Sequence, residues 1–237
     1  AGAARVNMLM ESKARVILNA DATAVIETDM TDIGTGTYAI LTQIAADMLG
    51  LAPEKIECRL GDTDFPPASG SGGSFGASSA GSSVYVACQE LREKLAQLIN
   101  CDASELKLEK GNATGGGKTQ NLRDILSDET LSALGHIKPG ETSDDVRQAT
   151  YGAYFAEVAV SAVTGETRVR RMLGAFGAGR ILNEKTATSQ CYGGMIWGIG
   201  MALTEELVFV LRDGRIVNRD LAEYHLPVNL DVPQIDV

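Results

Sequence analysis

Two glycine-rich turns, each followed by a helical pattern, have the residue types best suited to binding a ligand. The first, Asp32-Ile33-Gly34-Thr35-Gly36, precedes a periodic apolar segment from Ala39 to Gly50, and the second, residues 69–79, precedes Val84 to Asn100. Glycine lets the backbone approach a ligand closely, and the N–H groups of a first helical turn lack internal partners. Such turns favour anions, above all phosphates. Together they predict one large, phosphate-bearing ligand held from two sides.

A third glycine-bearing turn, from Gly174 to Asn183, precedes a long helical pattern from Lys185 to Glu206. Four glycines lie inside this pattern: Gly193, Gly194, Gly198 and Gly200. Each costs a helix interior about 0.5–1 kcal/mol relative to alanine. We therefore expect a packing reason for them, such as the close approach of another backbone or of a ligand.

The overall composition is that of a globular protein and excludes one class of partner. Hydrophobic residues make up 44% and charged residues 22% of the 237 positions. Acidic residues outnumber basic ones by 31 to 21, so the net charge is -10. This charge repels nucleic acids and anionic membranes, so no nucleic-acid partner is predicted. A phosphate-bearing ligand must then be held by local amide donors.

The cysteines and histidines form no spaced set of metal ligands. Cys58, Cys88, Cys101 and Cys191 include no C-x-x-C pair, and the only histidines are His136 and His225. Direct protein ligation of zinc or an iron–sulfur cluster is therefore not predicted, and we expect reduced, buried thiols.

No apolar run approaches the ~20 residues of a membrane span, and no signal-peptide pattern opens the chain. The chain begins without Met and ends in an apolar segment, Pro233 to Val237, so we expect a piece of a longer protein.

Periodicity and turn residues predict an α+β fold, with mixed β-sheets and long packed helices in two lobes. Expected strands are two runs within Ala14–Thr28, Lys55–Leu60, Leu106–Glu109, and hairpins over 152–173 and 207–217; expected helices are Thr37–Leu49, Val84–Asn100, Leu122–Leu126 and Lys185–Glu206. The predicted domains are a first lobe over residues 1–110, a flexible surface excursion over 111–148, and a second lobe over 149–237.

A dinucleotide-binding crossover is one alternative for the first turn. Gly34-x-Gly36-x-x-Ala39 fits the form G-x-G-x-x-A, and Asp62 follows the next strand where a ribose-binding acid would lie. The strand before the turn argues against it, because carboxylates including Asp29 and Asp32 would oppose a pyrophosphate.

A serine hydrolase is the other alternative. Gly72-Gly73-Ser74-Phe75-Gly76 matches G-x-S-x-G, and Asp220 and His225 follow in the order that hydrolases use. The motif needs a buried strand before the serine, whereas Pro66-Pro67 precedes it here. Labelling of Ser74 by a fluorophosphonate probe would support this alternative.

Three ordered segments resemble one family. They are D-I-G-T-G-T-Y-A-I-L-T-Q-I-A-A-D-M-L-G, G-D-T-D-F-P-P-A-S-G-S-G-G-S-F-G-A-S-S-A-G-S-S-V-Y-V-A-C, and G-R-I-L-N-E-K-T-A-T-S-Q-C-Y-G-G-M-I-W-G-I-G-M-A-L-T-E-E. Together they resemble the molybdenum-binding subunit of the xanthine dehydrogenase and aldehyde oxidase family, especially the large subunit of bacterial three-subunit aldehyde oxidoreductases. The resemblance runs from about Ala14 to Val237 and covers only the C-terminal part of such a subunit.

The resemblance implies a molybdopterin cofactor, in many bacterial members its cytosine dinucleotide form, whose pterin rather than the protein ligates molybdenum. Asp32 to Gly36 lie where the family has a G-Q-G turn, with Thr35 in place of the usual Gln. The cofactor-binding residues implied are Asp32, Ile33, Gly34, Thr35 and Gly36; Gly73, Ser74, Phe75, Gly76 and Ala77; and Gly179, Arg180, Ile181, Leu182, Asn183, Lys185 and Gln190.

The implied reaction is the oxidation of an aldehyde or the hydroxylation of an N-heterocycle, assisted by a glutamate base. That glutamate belongs to a G-x-G-E motif expected beyond Val237, so no catalytic residue is assigned and the chain is expected to be inactive alone. Implied partners are the rest of the large subunit and subunits carrying FAD and 2Fe–2S clusters. A cofactor-free structural fragment is the competing interpretation. The substrate, acceptor, oligomer and compartment, cytoplasmic or periplasmic, stay open.

Overall fold

The structure, a computed structural model, describes residues 2–4, 9–141, 145 and 149–237. Two compact units divide the chain: Arg5–Gln148, and Ala149–Val237 together with Ala1–Ala4. In chain order the strands are β1 (Gly2–Ala4), β2 (Ser12–Leu18), β3 (Ala24–Thr28), β4 (Ile56–Leu60), β5 (Lys107–Glu109), β6 (Asn112–Gly115), β7 (Lys118–Asn121), β8 (Leu131–Ile137), β9 (Thr150–Val160), β10 (Thr167–Gly177), β11 (Phe209–Val210), β12 (Arg215–Ile216) and β13 (Gln234–Asp236). The helices are α1 (Thr37–Leu49), α2 (Gly76–Leu98), α3 (Leu122–Leu126) and α4 (Glu184–Leu203), with a 3-10 turn at Pro53–Lys55.

The unit Arg5–Gln148 is built on a four-stranded sheet in the order β4-β3-β2-β8. Strands β3 and β4 are parallel and joined through α1, whereas β2 pairs antiparallel with both β3 and β8. Helices α1 and α2 pack against each other and against this sheet. Alternate residues of β2 are buried, as expected for a strand with one face in a core. The predicted α+β class is confirmed.

Helix α2 begins eight residues before the predicted start at Val84. Its first turns, G-A-S-S-A-G-S-S, contain no large apolar residue, so hydrophobic periodicity could not show them. The small residues are nevertheless in the core, with Ser79, Ala80 and Ser83 fully buried. A side chain at Gly81 would lie 3.1 Å from Ile44 Cδ1, so small residues are what let α1 and α2 approach each other here.

The prediction of a flexible excursion over residues 111–148 is wrong for residues 112–137. Strands β5, β6 and β7 form an antiparallel sheet, and β8 pairs with β2 along seven residues. Leu122, Leu126 and Ala133 are buried in the core of this unit. The short elements of this polar segment bury few apolar side chains, and β7 buries none, so hydrophobic periodicity did not show the strands. Residues 142–144 and 146–148 of the predicted excursion lie outside the described residues.

The other unit contains a four-stranded sheet in the order β1-β9-β10-β13, whose central hairpin, β9 and β10, was predicted. Helix α4 contacts β10, and Gly174 faces it: a side chain there would lie 2.9 Å from Met195 Sδ. Only Met195, Ile199 and Gly200 of this 20-residue helix are buried. The predicted hairpin over 207–217 is present as β11 and β12. None of the described helices is long and apolar enough to span a bilayer.

Candidate functional site: two joined turns

The first turn, residues 32–36, folds around the side chain of Asp32. Its Oδ1 accepts hydrogen bonds from the N–H of Gly34 at 2.8 Å and of Gly36 at 3.3 Å, and its Oδ2 accepts one from the N–H of Tyr38 at 3.2 Å. Gly34 and Gly36 have φ of 98° and 91°, which only glycine adopts without strain. The carboxylate thus lies at the start of α1, where the helix dipole favours negative charge.

The hydrogen bonds that Asp32 accepts from main-chain amides lower the pKa of its carboxyl more than partial burial raises it. Burial raises the pKa of the Asp32 carboxyl, but the amides of Gly34, Tyr38, Gly36 and Thr35 lower it, and the net pKa lies below the usual value. The carboxylate is therefore the stable form at neutral pH. The expectation that the Gly34 and Gly36 amides are free for an external phosphate is not met, because Asp32 already accepts both.

The second turn, residues 70–76, leads into α2 and leaves its main chain open. Gly73 and Ser74 have φ of 50° and 58°, and both are exposed. The Phe75 N–H donates to the Gly72 carbonyl at 3.2 Å, which closes the turn. No described side chain caps the first turn of α2. The N–H groups at the start of this 23-residue helix are therefore suited to an anionic or polar ligand.

Hydrogen bonds join the first two turns within their unit. The Ser71 hydroxyl donates to the Thr31 carbonyl at 2.5 Å, and the Ala68 N–H donates to the Asp29 carboxylate. Met30 is buried beneath them, and a side chain at Gly76 would lie 2.3 Å from its Cε. Ser71 and Thr31 were not identified from sequence, since a serine in a glycine-rich loop shows no pattern that indicates its partner.

The third turn belongs to the other unit and precedes α4. Gly179 has φ of 74°, and the side chains of Ile181 and Leu182 are exposed. Asn183 caps α4, its Oδ1 accepting from the Thr186 N–H at 2.9 Å. Arg180, Lys185 and Gln190 are also exposed. The predicted residues of this turn therefore form an exposed helix start.

Comparison with known proteins decides the family. Residues 2–233 match the model of the molybdopterin cofactor-binding domain. The chain belongs to this family. The resemblance seen in the three glycine-rich segments is therefore confirmed.

Two similar proteins illustrate the relationship. The chain is 46% identical over 233 residues to the aldehyde oxidoreductase molybdenum-binding subunit PaoC of Escherichia coli (strain K12), an alignment that covers 98% of the chain and 32% of that subunit. The structure of quinoline 2-oxidoreductase from Pseudomonas putida 86 has the same fold, with a TM-score of 0.83 and 24% identity over 97% of the chain and 31% of that protein. The chain thus spans about a third of the length of either.

Neither alternative interpretation fits the observed local structure. Residues 61–75, all described, contain no strand, so Ser74 lacks the strand–turn–helix of a hydrolase nucleophile. The β3–α1–β4 crossover is parallel, as a dinucleotide fold requires, but β4 ends the described sheet and the other strands are antiparallel. Within the described residues, no three His, Cys, Asp or Glu side chains converge to hold a metal ion.

The donor set of the two joined turns fits a molybdopterin-type ligand in part. The exposed main chain from Gly72 to Ser74 and the uncapped start of α2 offer N–H donors, and the exposed Thr35 hydroxyl adds another polar group. The glycine amides of the first turn bond to Asp32. In this chain a donor-rich turn thus lies beside a turn whose glycine amides already have a partner.

Proposed function

We propose that the chain is the cofactor-binding part of a molybdenum hydroxylase that oxidises aldehydes to carboxylic acids or hydroxylates N-heterocycles. The observation that carries the proposal is the 46% identity to an aldehyde oxidoreductase molybdenum-binding subunit across 98% of this chain. When bound, the molybdenum cofactor would supply the oxygen-transfer chemistry. The residues of this chain would bind and orient it.

The proposed contacts are those implied by the three glycine-rich segments. Gly73, Ser74, Gly76 and Ala77 would donate main-chain hydrogen bonds from the uncapped start of α2, and Phe75, whose N–H already donates to the Gly72 carbonyl, would contact the cofactor through its side chain. Ile33 and Thr35 would contact the cofactor through side chains. Residues 179–183, Lys185 and Gln190 would hold its distal end, for which we propose the cytosine dinucleotide form. No side chain of this chain would ligate molybdenum.

The partners proposed are the rest of the large subunit and subunits carrying FAD and 2Fe–2S clusters. Their support is the exposed apolar sheet face of the unit Ala149–Val237, where Tyr151 and Phe155 of β9 are 64% and 62% exposed. Exposed apolar faces of this kind mark surfaces that partners cover. The catalytic glutamate would come from the rest of the large subunit, so the chain alone would be inactive.

The same surface favours a second candidate, a structural fragment that folds but retains no cofactor. Loss of the contacts made by the rest of the subunit would weaken the binding of so large a ligand. The two candidates differ in a measurable quantity, the molybdenum and pterin bound per chain.

The test compares the 237-residue chain with a full-length large subunit, each co-expressed with its partner subunits in cells that make the cofactor. Molybdenum is measured by plasma mass spectrometry and pterin by fluorescence after oxidative release. We expect about one of each per full-length subunit, with turnover of an aromatic aldehyde or quinoline and none by the chain alone. A full-length subunit without molybdenum or pterin would overturn the proposal, and a chain that lacks both would support the second candidate for the fragment.

A further inference from the structure

We infer that the Asp32 carboxylate occupies the anion site formed by main-chain N–H groups of the first turn, here called the amide cradle. The turn therefore positions Ile33 and Thr35 rather than binding a phosphate. Three main-chain N–H groups, those of Gly34, Gly36 and Tyr38, point at one carboxylate, at 2.8, 3.3 and 3.2 Å. This is the donor arrangement that glycine-rich turns commonly offer to an external phosphate.

The carboxylate cannot share the cradle with a second anion. A phosphate oxygen placed within hydrogen-bonding distance of the Gly34 and Gly36 amides would have to occupy the position of Asp32 Oδ1. The two negative groups would then repel each other at close range. The acceptor site of this turn is therefore filled from within the chain, and its geometry does not depend on a ligand.

The surroundings of Asp32 show that its charge is balanced by dipoles. The groups that lower the pKa of this carboxyl are main-chain amides at the start of α1. On its other side lies β4, where the Asp32 charge contributes to raising the pKa of the Cys58 thiol. Negative charge at a helix start is favoured by the helix dipole, so the carboxylate stabilises both the turn and α1.

The filled cradle determines what the turn presents to solvent. Ile33 lies between Asp32 and Gly34, the first bonded amide, and its side chain is 71% exposed. Thr35 lies between the two bonded glycines and is also exposed, 3.5 Å from the Thr37 hydroxyl. Because the bonded amides of Gly34 and Gly36 restrict the backbone of the turn, the Cα–Cβ bonds of Ile33 and Thr35 point in set directions. That these side chains meet a pterin cofactor rests on the proposed function.

The first test needs no cofactor and uses the chain itself. Asp32→Ala removes the carboxylate, and formate, a single free carboxylate, is the probe. Asp47→Ala is the control, because Asp47 is an exposed carboxylate on α1, the helix that follows the turn. We expect the Tm of Asp32→Ala to fall by about 3–8 °C, as for loss of a helix cap, and to recover by at least half in formate but not in chloride of equal ionic strength. An unchanged Tm, or a loss that formate does not reverse, would overturn the inference.

A milder variant covers the case in which Asp32→Ala does not fold in any buffer. Asp32→Asn keeps an oxygen for Gly34 and Gly36 but turns an amide group toward Tyr38. Hydrogen exchange at the Tyr38 amide should quicken by about tenfold or more, with smaller changes at the two glycines. If all three amides of Asp32→Asn exchange hydrogen at the same rates as in the chain without the substitution, the carboxylate is not bonded to them.

The second test measures the consequence for the cofactor in the full-length subunit. We expect Asp32→Ala to lower bound pterin and molybdenum to under half of the unchanged subunit, and formate present during assembly to restore them, with Asp47→Ala unaffected. If the subunit without any substitution contains no cofactor, the proposed function is refuted, but the result of the formate test on the chain still holds. Full cofactor occupancy in Asp32→Ala would refute the positioning role.

Discussion

The hydroxyl of Ser71 donates a hydrogen bond of 2.5 Å to the main-chain carbonyl of Thr31, across 40 residues of chain. This bond joins the second glycine-rich turn to the residue just before Asp32. Neither partner belongs to a strand or helix, so this bond supplements the pairing of β3 with β4 and the packing of α1 against α2, which bring the two turns into the same part of the unit.

We predict that Ser71→Ala lowers cofactor retention by the full-length subunit more than it lowers the stability of the fold. Loss of one exposed hydrogen bond should lower the free energy of unfolding by about 0.5–1.5 kcal/mol. Cofactor retention by the full-length subunit should fall more, because both turns must be in place together. The measurements are urea unfolding and bound pterin, with Ser104→Ala as the control, since the Ser104 hydroxyl bonds only within its own turn, to Asp102. Equal retention in the two variants would contradict the prediction.

Gly135 of β8 lies directly against the backbone of α2, and this contact predicts a large stability effect. A Cβ at this position would lie 1.8 Å from the carbonyl oxygen of Ser83 and 2.7 Å from the nitrogen of Ala87. Backbone atoms of a packed helix cannot move aside as a flexible side chain can. Gly135→Ala should therefore cost about 3 kcal/mol or more.

The measurement is thermal unfolding of the chain, in which about 3 kcal/mol corresponds to a Tm roughly 6–12 °C lower. Gly140→Ala is the matched control, because a side chain there has open space and the change should stay within about 0.5 kcal/mol. A Gly135→Ala variant as stable as the control would show that β8 and α2 are not in contact.

Gly50 and Gly135 show which glycine positions could be predicted from the sequence and which could not. Gly50 was expected to end α1, and it does so with φ of 63°, because a helix stop is a local property of the chain. The need for glycine at Gly135 depends on a strand meeting a helix about 50 residues earlier, and no local pattern shows that. The same holds for β8, which pairs with β2 more than 100 residues earlier, whereas the helix Leu122–Leu126 was predicted from its local sequence.

The sequence indicated a glycine turn at residues 32–36, and the structure adds that Asp32 accepts hydrogen bonds from the amides of Gly34 and Gly36. Aspartate commonly bonds the amide two residues ahead, so the contact from Asp32 to Gly34 could have been anticipated. The longer contact to Tyr38 could not, because it requires α1 to start at an angle that brings that amide back to the carboxylate. The pairing of the first two turns likewise depends on loop contacts such as that of Ser71 with Thr31.

The half-buried thiol of Cys58 and the buried thiol of Cys88 predict a loss of stability in alkaline solution. Burial, reinforced by the Asp32 carboxylate, raises the pKa of Cys58 to about 12, and burial raises that of Cys88 to about 12. An unfolded thiol has a pKa of about 8.5. Between these values the folded state holds more protons than the unfolded state, so the free energy of unfolding falls as pH rises, by up to about 1.4 kcal/mol per pH unit per thiol.

Urea unfolding from pH 6 to 10 checks this expectation. The difference between the unchanged chain and a Cys58→Ala, Cys88→Ala double variant should be constant from pH 6 to 8, where thiols stay protonated in both states. It should then shrink above pH 8.5 as the unchanged chain loses its extra stability. A difference that stays constant up to pH 10 would mean that neither thiol resists ionisation in the folded chain.

One sheet face of the unit Ala149–Val237 carries the exposed side chains of Tyr151, Phe155 and Leu173. This face should promote self-association of the chain alone but stabilise the full-length subunit. Phe155 pairs with Leu173 across β9 and β10, and Tyr151 lies four residues earlier on the same face. The opposite face holds the edge-on pair Tyr154 and Phe176, whose ring centres are 5.3 Å apart.

An apolar face of this kind drives self-association when it is uncovered and stabilises the fold when a partner covers it. Phe155→Ser should therefore raise the monomer fraction of the chain alone in light scattering. In the full-length subunit it should lower stability by about 3 kcal/mol, as for other truncations of a buried aromatic ring. Val163→Ser, at the 95% exposed hairpin tip, should change neither quantity. A full-length subunit that is as stable with Phe155→Ser as without it would mean that the rest of the subunit does not cover this face, because removal of the ring is costly only where added polypeptide buries it.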